Sequence, residues 1–380
     1  HRAPPAPTRP VTERVPALDG IRAFAVLAVL LFHAESLSPG TQRFQGGFLG
    51  VSVFFTLSGF LIGGQLLREH EDHMGVRARA FVTRRIARLA PVAFCVIALV
   101  VAISPTRLAT WNAFGPSDAL SAIWQFTNWH LAWLPDSAGF RLVHPLTHFW
   151  SLSVEVQLYA LVLLVAIAGG TAPLRPRFQR LAIVGWTASL MMALVLHSTV
   201  RREEFGTDVR LAEFAAGVLL AVWLPRWRAR GLAASGLAAV GIFCACVVFV
   251  GREEFWLSNG GYALLSLAWC AWIAAVHRAG LLRRVFSHPV LVAVGEISYS
   301  LYAVHWPVVL ALPDSRLHLG GWSAVAVRCV VSLVAAVVLH RLVERPLRQR
   351  LTSLSAARTV GLWVAAAAAT SALSLALLSG

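Results

Sequence analysis

The sequence predicts an all-α polytopic membrane protein, a bundle of about 10–11 transmembrane helices. Hydrophobic residues make up 57% of the 380 residues and charged residues only 13%, with a mean hydropathy of +0.68, whereas a soluble domain carries about 25% charged residues. Apolar blocks close to the ~20 residues that a helix needs to cross a bilayer follow one another. Backbone groups in lipid must bond internally, so these blocks should be helices. A β-barrel would need alternating segments of ~10 residues, which the sequence lacks.

The apolar blocks divide the chain into predicted spans. In order, they cover residues 20–37, 48–67, 88–104, 147–168, 181–197, 209–224, 232–250, 261–277, 290–311, 322–343 and 359–379. The shorter apolar stretch 118–134 is expected to be re-entrant or interfacial. Residues 1–16 are rich in proline and should form a flexible segment. Residues 17–350 then form one membrane domain, and residues 351–380 add a C-terminal transmembrane helix.

Charge distribution predicts the orientation. The formal charge is +15, and all 33 basic residues are arginines. In a soluble protein this charge would suggest nucleic acid, but here it fits loops that control topology and contact anionic lipid, so no nucleic-acid partner is expected. With a cytoplasmic N-terminus, 24 arginines fall in inner segments and eight in outer ones. The sequence therefore predicts the N-terminus inside and the C-terminus outside.

The five cysteines are scattered through apolar blocks, so neither a disulfide framework nor a metal site is expected. The largest outer segment, about 105–146, carries four tryptophans. Two interpretations stay open for them, anchoring at the membrane interface and stacking against sugar rings. They are Trp111, Trp124, Trp129 and Trp133.

Ionisable side chains within spans are costly to bury and are therefore functional candidates. In the first span, Arg22 and His33 lie eleven residues apart, which is three helical turns, so they share a face about 16 Å apart along the axis. Asp19 lies on nearly the same face. His33 is either a base deep in the membrane or a histidine buried for structural reasons.

The second and fourth spans carry a second set of candidates. Ser58 precedes Gly59, and close helix packing alone would explain that pair. His148, Ser151 and Glu155 fall on one helical face at steps of three and four. Glu155 should reach a depth similar to those of His33 and Ser58 and should have a partner there, either in a functional site or in a structural salt bridge.

Two further clusters stand at other helix ends. Arg84, Arg85 and Arg88 open the third span, either to control topology or to bind phosphate, since arginine forks suit phosphate oxygens. Polar side chains also crowd the ninth span. They are Tyr299, Tyr302 and His305.

At this point the chain resembles the integral membrane acyltransferases of acyltransferase family 3, over about residues 15–350. The resemblance rests on an ordered set of motifs. These are the Arg22-x10-His33 pair, Phe55-x-Leu-Ser-Gly-Phe60, Arg84-Arg85-x-x-Arg88-Leu-x-Pro91, Trp150-Ser-Leu-Ser-x-Glu155, Thr207-Asp208-x-Arg210, Tyr299-Ser-Leu-Tyr302-x-x-His305-x-Pro307 and Glu344-Arg-Pro346. Where relatives have Glu-Glu-Gln, this chain has Glu155-Val156-Gln157. Many relatives continue into an extracytoplasmic hydrolase-like domain, which is expected to be absent or removed here.

The resemblance implies an enzyme that moves a short acyl group, such as acetyl or succinyl, from cytoplasmic acyl-CoA to a hydroxyl of an extracytoplasmic glycan, lipoglycan or glycolipid. The multi-pass chain would lie in the bacterial cytoplasmic membrane, with acyl-CoA as co-substrate and no permanently bound cofactor or metal. Membrane lipid is the other expected partner, and no oligomeric state is predicted. Residues 17–350 would form the acyltransferase domain.

Roles for individual residues follow from the resemblance and from their placement. His33 would be the general base and Glu155 its partner, with direct transfer or an acyl-histidine relay as alternatives. The inner arginines would bind the donor phosphates, and the remaining candidates would line the site or the acceptor side. The donor set is Arg22, Arg84, Arg85 and Arg88, and the lining set is Asp19, Ser58, His148, Ser151, Tyr299, Tyr302 and His305.

A transporter or flippase that relays protons through the buried His and Glu is the competing hypothesis. The spans show no two-half symmetry of the kind that many transporters have, which counts against it.

Overall fold

The computed structural model describes residues 15–106, 111, 114–134, 143–195, 200–226, 231–278 and 280–379, and the predicted flexible segment lies almost wholly outside them. All regular structure in these ranges is helical, which confirms the all-α prediction. The first nine helices are α1 (Pro16–Glu35), α2 (Gly50–His73), α3 (Ala78–Ile103), α4 (Pro116–Ile123), α5 (Thr127–Ala132), α6 (Trp150–Ile167), α7 (Leu174–Val195), α8 (Val200–Phe205) and α9 (Thr207–Trp223).

The second half of the chain continues the same pattern. Its helices are α10 (Leu232–Phe249), α11 (Tyr262–Arg278), α12 (Leu281–Phe286), α13 (Pro289–Glu296), α14 (Ser298–Ala311), α15 (Asp314–Leu317), α16 (Gly321–Leu339), α17 (Arg345–Thr352) and α18 (Ala356–Leu378). Short 3-10 turns occupy Gln45–Leu49, Thr147–Phe149 and Leu224–Arg226, and π-helical segments occupy Leu257–Gly261 and His340–Glu344.

Within the described residues, nine helices are long and apolar enough to cross a membrane. The other two predicted spans are also helical. One is α9, which has 17 residues. The other, predicted as one span over 290–311, is divided into α13 and α14 at Ile297, where the backbone leaves helical geometry. The chain is therefore a multi-pass membrane protein.

Helix α1 lies at the centre of the bundle, in contact with α2, α11, α12, α13, α14 and α16. Its closest neighbour is α13, because Gly295 leaves room for the backbone there. A Cβ atom at Gly295 would lie 1.9 Å from the carbonyl oxygen of Asp19. The central helix thus carries Arg22 near its start and His33 near its end, surrounded by other helices.

Helices α2 and α9 are in equally close contact. A Cβ atom at Gly59 would lie 2.0 Å from the carbonyl oxygen of Phe214, and one at Gly217 would lie 2.0 Å from that of Thr56. Small residues permit this backbone approach within a membrane bundle. Gly59 therefore serves helix packing, while its neighbour Ser58 faces the cavity described below.

The stretch 118–134 forms the short helices α4 and α5, which reach the middle of α6. Gln157 lies seven residues into α6, about 10 Å from its start. Its side-chain amide donates to the carbonyl oxygen of Gln125 at 3.0 Å and to Asn128 Oδ1 at 2.9 Å. Trp129 Nε1 donates to Gln157 Oε1 at 3.2 Å. The segment therefore packs well below the end of α6, in the manner of a re-entrant loop.

Candidate functional site

Five helices (α1, α2, α3, α6 and α14) line a cavity whose empty volume, with the open space at its mouth included, is about 610 Å³. Most of the predicted candidate residues meet there, although they come from distant parts of the sequence. The polar residues of the lining are Arg22, Ser58, Arg88, Ser151, Glu155, Ser298, Tyr299 and Tyr302.

Two arginines supply the positive charge of the cavity. Arg22 pairs with Asp19 at 2.6 Å, so one carboxylate partly offsets its charge. Arg88 has no hydrogen bond or ion pair among the residues that the structure describes, and its side chain is available to an anion. Both lie in the N-terminal halves of their helices. This end of the cavity can therefore accept phosphate oxygens through charge-assisted hydrogen bonds.

The other two predicted donor arginines do not line the cavity. Arg84 forms an ion pair with Glu69 at 3.2 Å. Arg85 Nη2 donates to Gln65 Oε1 at 2.9 Å, and its guanidinium lies 5.5 Å from the ring centroid of Tyr159. The run of arginines thus divides into residues with different partners, since successive helical positions point in different directions.

Glu155 is held inside the cavity by hydroxyl groups. Its Oε1 accepts a hydrogen bond from Ser58 Oγ at 2.6 Å and another from Tyr159 Oη. Within the described chain, Glu155 forms no ion pair and makes no hydrogen bond to His33. Glu155 instead lines the cavity together with Arg22 and Arg88. Tyr159 is not among the predicted candidates, although its spacing of four residues from Glu155 places both on one helical face.

His33 meets His305 at the far end of α1. His33 Nδ1 lies 3.1 Å from His305 Nε2 and 3.0 Å from the carbonyl oxygen of Val29. His305 Nδ1 faces two carbonyl oxygens, those of Tyr302 at 2.7 Å and Leu301 at 3.2 Å. The two imidazoles are thus linked, and each is also anchored to its own helix.

These partners assign the tautomers of the neutral histidines. Carbonyl oxygens only accept hydrogen bonds, so His305 Nδ1 carries a proton and His305 Nε2 is an acceptor. His33 Nδ1 then faces two acceptors and must carry its own proton. The lone pair of His33 therefore lies on Nε2, for which the described residues provide no hydrogen-bond partner. This is the arrangement that a general base requires.

Tyr302 connects the cavity with the histidines. Its hydroxyl lies 2.6 Å from Ser151 Oγ and donates to the carbonyl oxygen of His148 at 2.9 Å. The ring centroid of Tyr302 is 5.4 Å from that of His305, which is 5.0 Å from that of His33. His148 packs on both, with ring centroids 5.5 Å from Tyr302 and 5.3 Å from His305. Packed polar and aromatic side chains therefore connect the cavity with His33, although His33, His148 and His305 do not line the cavity themselves.

Trp306 packs against another side of His33 and links it to the segment that precedes α6. Its ring centroid lies 4.8 Å from that of His33, and its Nε1 donates to the carbonyl oxygen of His144 at 3.0 Å. Burial raises the pKa of nearby Asp118, but a hydrogen bond with His130 at 2.8 Å and the charge of His144 outweigh burial and lower the pKa overall. An ionised Asp118 thus helps to hold the segment that braces Trp306.

The residue after Tyr299, Ser300, bonds a carboxylate in a π-helical segment. Ser300 Oγ donates to Glu344 Oε2 at 2.6 Å, and His340 Nδ1 lies 2.9 Å from the same oxygen. Tyr299 Oη donates to the carbonyl oxygen of Leu89. These contacts join α14 to α3 and α16, which gives Glu344 of the Glu-Arg-Pro motif a structural partner.

At its C-terminal end, α1 also faces an ion pair on neighbouring segments. The Arg252 guanidinium pairs with Glu204 and lies 5.9 Å from the ring centroid of Phe32, the residue before His33. Arg252 is exposed, so this ion pair lies at the surface beside the residue that precedes His33. In the part of the chain that the structure describes, no three His, Cys, Asp or Glu side chains are grouped so that they could hold a metal ion.

Comparisons with known proteins address the class of protein. The family described as "Acyltransferase domain" matches residues 15–341. The O-acetyltransferase OatA of Staphylococcus aureus strain NCTC 8325 / PS 47 is 31% identical over 355 residues, which cover 88% of this chain and 57% of that relative. The OatA of strain MRSA252 gives the same values. The chain thus spans about 57% of the length of these curated relatives. No solved structure matches at a significant level.

Proposed function

The chain belongs to the acyltransferase family, and we propose that it is a membrane O-acyltransferase. It would transfer a short acyl group from cytoplasmic acyl-CoA to a hydroxyl of a glycan or glycolipid on the outer side of a bacterial cytoplasmic membrane. The relatives named O-acetyltransferase favour acetyl as the group and oxygen as the acceptor atom. One observation carries the proposal: Tyr302 lines a cavity that holds a free arginine, and it packs on His305, the hydrogen-bond partner of a histidine whose Nε2 lone pair is available.

Donor binding would begin at the arginine end of the cavity. Arg88 and Arg22 would contact the phosphates of acyl-CoA, since arginine presents several donors in a planar fork. About 16 Å of helix α1 separates Arg22 from His33, so an extended arm must carry the thioester from the arginine end of the cavity to His33. The pantetheine chain of coenzyme A is such an arm.

Chemistry would take place at His33. Its Nε2 accepts the proton of the acceptor hydroxyl while that oxygen attacks the thioester carbonyl carbon. The new C–O bond forms, the C–S bond breaks, and the proton on His33 passes to the leaving thiolate. His305 stabilises the transient imidazolium, because its Nε2 accepts a hydrogen bond from His33 Nδ1.

Glu155 would act in this scheme through the electrostatics of the cavity. It lies beside the two cavity arginines and receives hydrogen bonds from Ser58 and Tyr159. Its negative charge limits the net positive charge of the cavity and helps to orient Ser58. The carboxylate would thus tune donor binding and turnover, with no direct contact to the base.

An acyl-histidine relay is the alternative route, in which His33 Nε2 attacks the thioester itself. Incubation of the protein with acyl-CoA and no acceptor distinguishes the two. The relay predicts an acyl adduct on His33 in peptide mass spectrometry, whereas direct transfer predicts none.

The test of the function uses the protein purified in detergent with radiolabelled acetyl-CoA and cell-envelope glycan as acceptor. We expect ester-linked label on the glycan that mild base removes, and about 10- to 150-fold less label with Arg88→Ala at sub-saturating donor. The protein reconstituted in vesicles tests transport in parallel. Movement of a glycan precursor without acyl transfer would contradict the proposal.

A further inference from the structure

Helix α16 carries a buried cation that the proposed mechanism does not use. Arg328 has 0% of its side chain exposed, although burial of a charge within a membrane protein is costly. Its Nε donates to the carbonyl oxygen of Leu312 at 2.8 Å, and its Nη1 donates to that of Ala34 at 3.0 Å and to Ser38 Oγ at 2.8 Å. Its Nη2 pairs with the carboxylate of Asp314. Each nitrogen of the guanidinium thus has at least one partner.

Two of these partners are on the helices that carry the linked histidines, Ala34 at the end of α1 and Leu312 directly after α14. Ala34 follows His33 directly, and Leu312 lies seven residues after His305, about two turns further along the chain. Carbonyl groups at the C-terminal end of a helix lack partners within the helix and favour a nearby cation. Arg328 therefore joins the C-terminal ends of α1 and α14.

The network around Arg328 is closed by a second bond. Ser38 Oγ donates to Asp314 Oδ1 at 2.8 Å, so the segment after α1 is tied to the segment after α14 with or without the guanidinium. Arg328 adds bonds to both helix ends themselves. Removal of the guanidinium would leave the loop contact but free the last turn of each helix.

The packing at this place is separate from the main core. A small apolar cluster comes from α1, α14 and α16, and its residues are Ala34, Trp306, Val309, Leu310 and Val325. Its largest member, Trp306, packs against the His33 ring with the two ring planes tilted by 51°. The position of the His33 ring therefore depends on how α1, α14 and α16 pack together. The contacts of Arg328 hold these three helices in that packing.

We propose that Arg328 is a positioning residue for His33. By holding the ends of α1 and α14, it keeps His33 Nδ1 3.1 Å from His305 Nε2 and so maintains the tautomer in which His33 Nε2 is the base. The inference rests on the proposed function, since the position of His33 matters for rate only if His33 takes part in transfer.

The test compares Arg328→Ala with Arg358→Ala in purified protein of equal monodispersity. Arg358 is exposed on α18, away from the ends of α1 and α14, so its loss should leave turnover unchanged. A shift of ~1 Å at a reacting group costs about 100-fold in rate. We expect Arg328→Ala to lower kcat by about 10- to 100-fold, with the donor Kd within about twofold of wild type.

Recovery of kcat on addition of guanidinium ion distinguishes a positioning role of Arg328 from a merely structural one. It can occupy the space of the lost side chain, and it should restore kcat several-fold in Arg328→Ala but not in His33→Ala. A wild-type kcat in folded Arg328→Ala would overturn the inference, and so would a lowered kcat that guanidinium does not restore.

Where Arg328→Ala yields no folded protein, Arg328→Lys keeps the positive charge but replaces the planar guanidinium with a single nitrogen, which cannot reproduce the bonds to the carbonyl oxygens of Ala34 and Leu312. A several-fold lower kcat at wild-type donor affinity supports the inference, and an unchanged kcat overturns it. Wild type and His33→Ala are measured alongside. An active wild type with an unaffected Arg328→Ala would reject this inference alone, whereas an inactive wild type would reject the proposed function and the inference together.

Discussion

The contact between His33 and His305 predicts a defined catalytic cost for replacement of His305. His305→Phe keeps an aromatic ring beside Tyr302 and His148 but removes the nitrogen that accepts from His33 Nδ1. When His33 takes up a proton, that hydrogen bond becomes one to a charged donor. Such bonds contribute about 1.5–3 kcal/mol. At 1.36 kcal/mol per tenfold in rate, the variant should transfer acyl groups about 10- to 150-fold more slowly.

The assay is single-turnover transfer from labelled acetyl-CoA at saturating donor, with donor affinity measured on the same preparation. The matched control is His277→Phe, which makes the same exchange in the last turn of α11 and should transfer at the wild-type rate. A wild-type rate in His305→Phe would refute the tautomer assignment. A loss as large as that of His33→Ala would indicate that His305 is itself the base.

Three further predictions follow from the cavity and the charge pattern. Arg88→Ala should weaken donor binding by about 1.5–3 kcal/mol, because charge-assisted bonds to phosphate are lost, while Arg84→Ala should leave it unchanged; titration with labelled acetyl-CoA measures both. Glu155→Gln keeps the shape of the side chain and removes a negative charge from the cavity that holds the two arginines, so kcat should fall while donor affinity does not, as steady-state kinetics would show. A reporter active only in the cytoplasm should be on when fused after Arg180 and off after Gly206, because the predicted topology places them on opposite sides.

Each of these predictions has a contrary result. Equal donor affinities in the two arginine variants would return Arg88 to a topological role. If Glu155→Gln loses activity only in step with loss of monodisperse protein, then Glu155 is structural. If either reporter fusion gives the opposite signal, the predicted orientation of the spans is wrong.

The architecture was largely predictable because it depends on local properties. Apolar block length decides where a helix can cross a bilayer, and the predicted spans are all helical. The break at Ile297 was not predictable in this way, since both halves of the block are apolar. It depends on the approach of Gly295 to the backbone of α1, which is a tertiary contact.

Periodicity on single helices also placed several candidates correctly on shared faces. Asp19 and Arg22 lie three residues apart and form an ion pair. Periodicity on a single helix does not predict which side chains meet between helices. Glu155 was expected as a possible partner of His33, yet it bonds Ser58 and Tyr159, and His305 takes the place beside His33. Sequence spacing reports the direction of a side chain, but the partner across the interface depends on how helices pack.

The arginine run illustrates the same limit. Arg84, Arg85 and Arg88 share one motif, and their charge predicts an anion site equally well for each. In the folded chain only Arg88 faces the cavity, because Glu69 and Gln65 of α2 engage the other two. The competing partners lie on another helix, so the motif alone does not tell a free arginine from a paired one.

The central claim is that His33 is the base of acyl transfer, and one measurement tests it most directly. Single-turnover transfer and donor binding are followed in wild type and His33→Ala, purified in detergent and matched for monodispersity. We predict that His33→Ala binds acetyl-CoA with wild-type affinity and transfers it about 10²- to 10⁴-fold more slowly, the usual cost of a lost general base. Transfer by His33→Ala at a near wild-type rate would contradict the account.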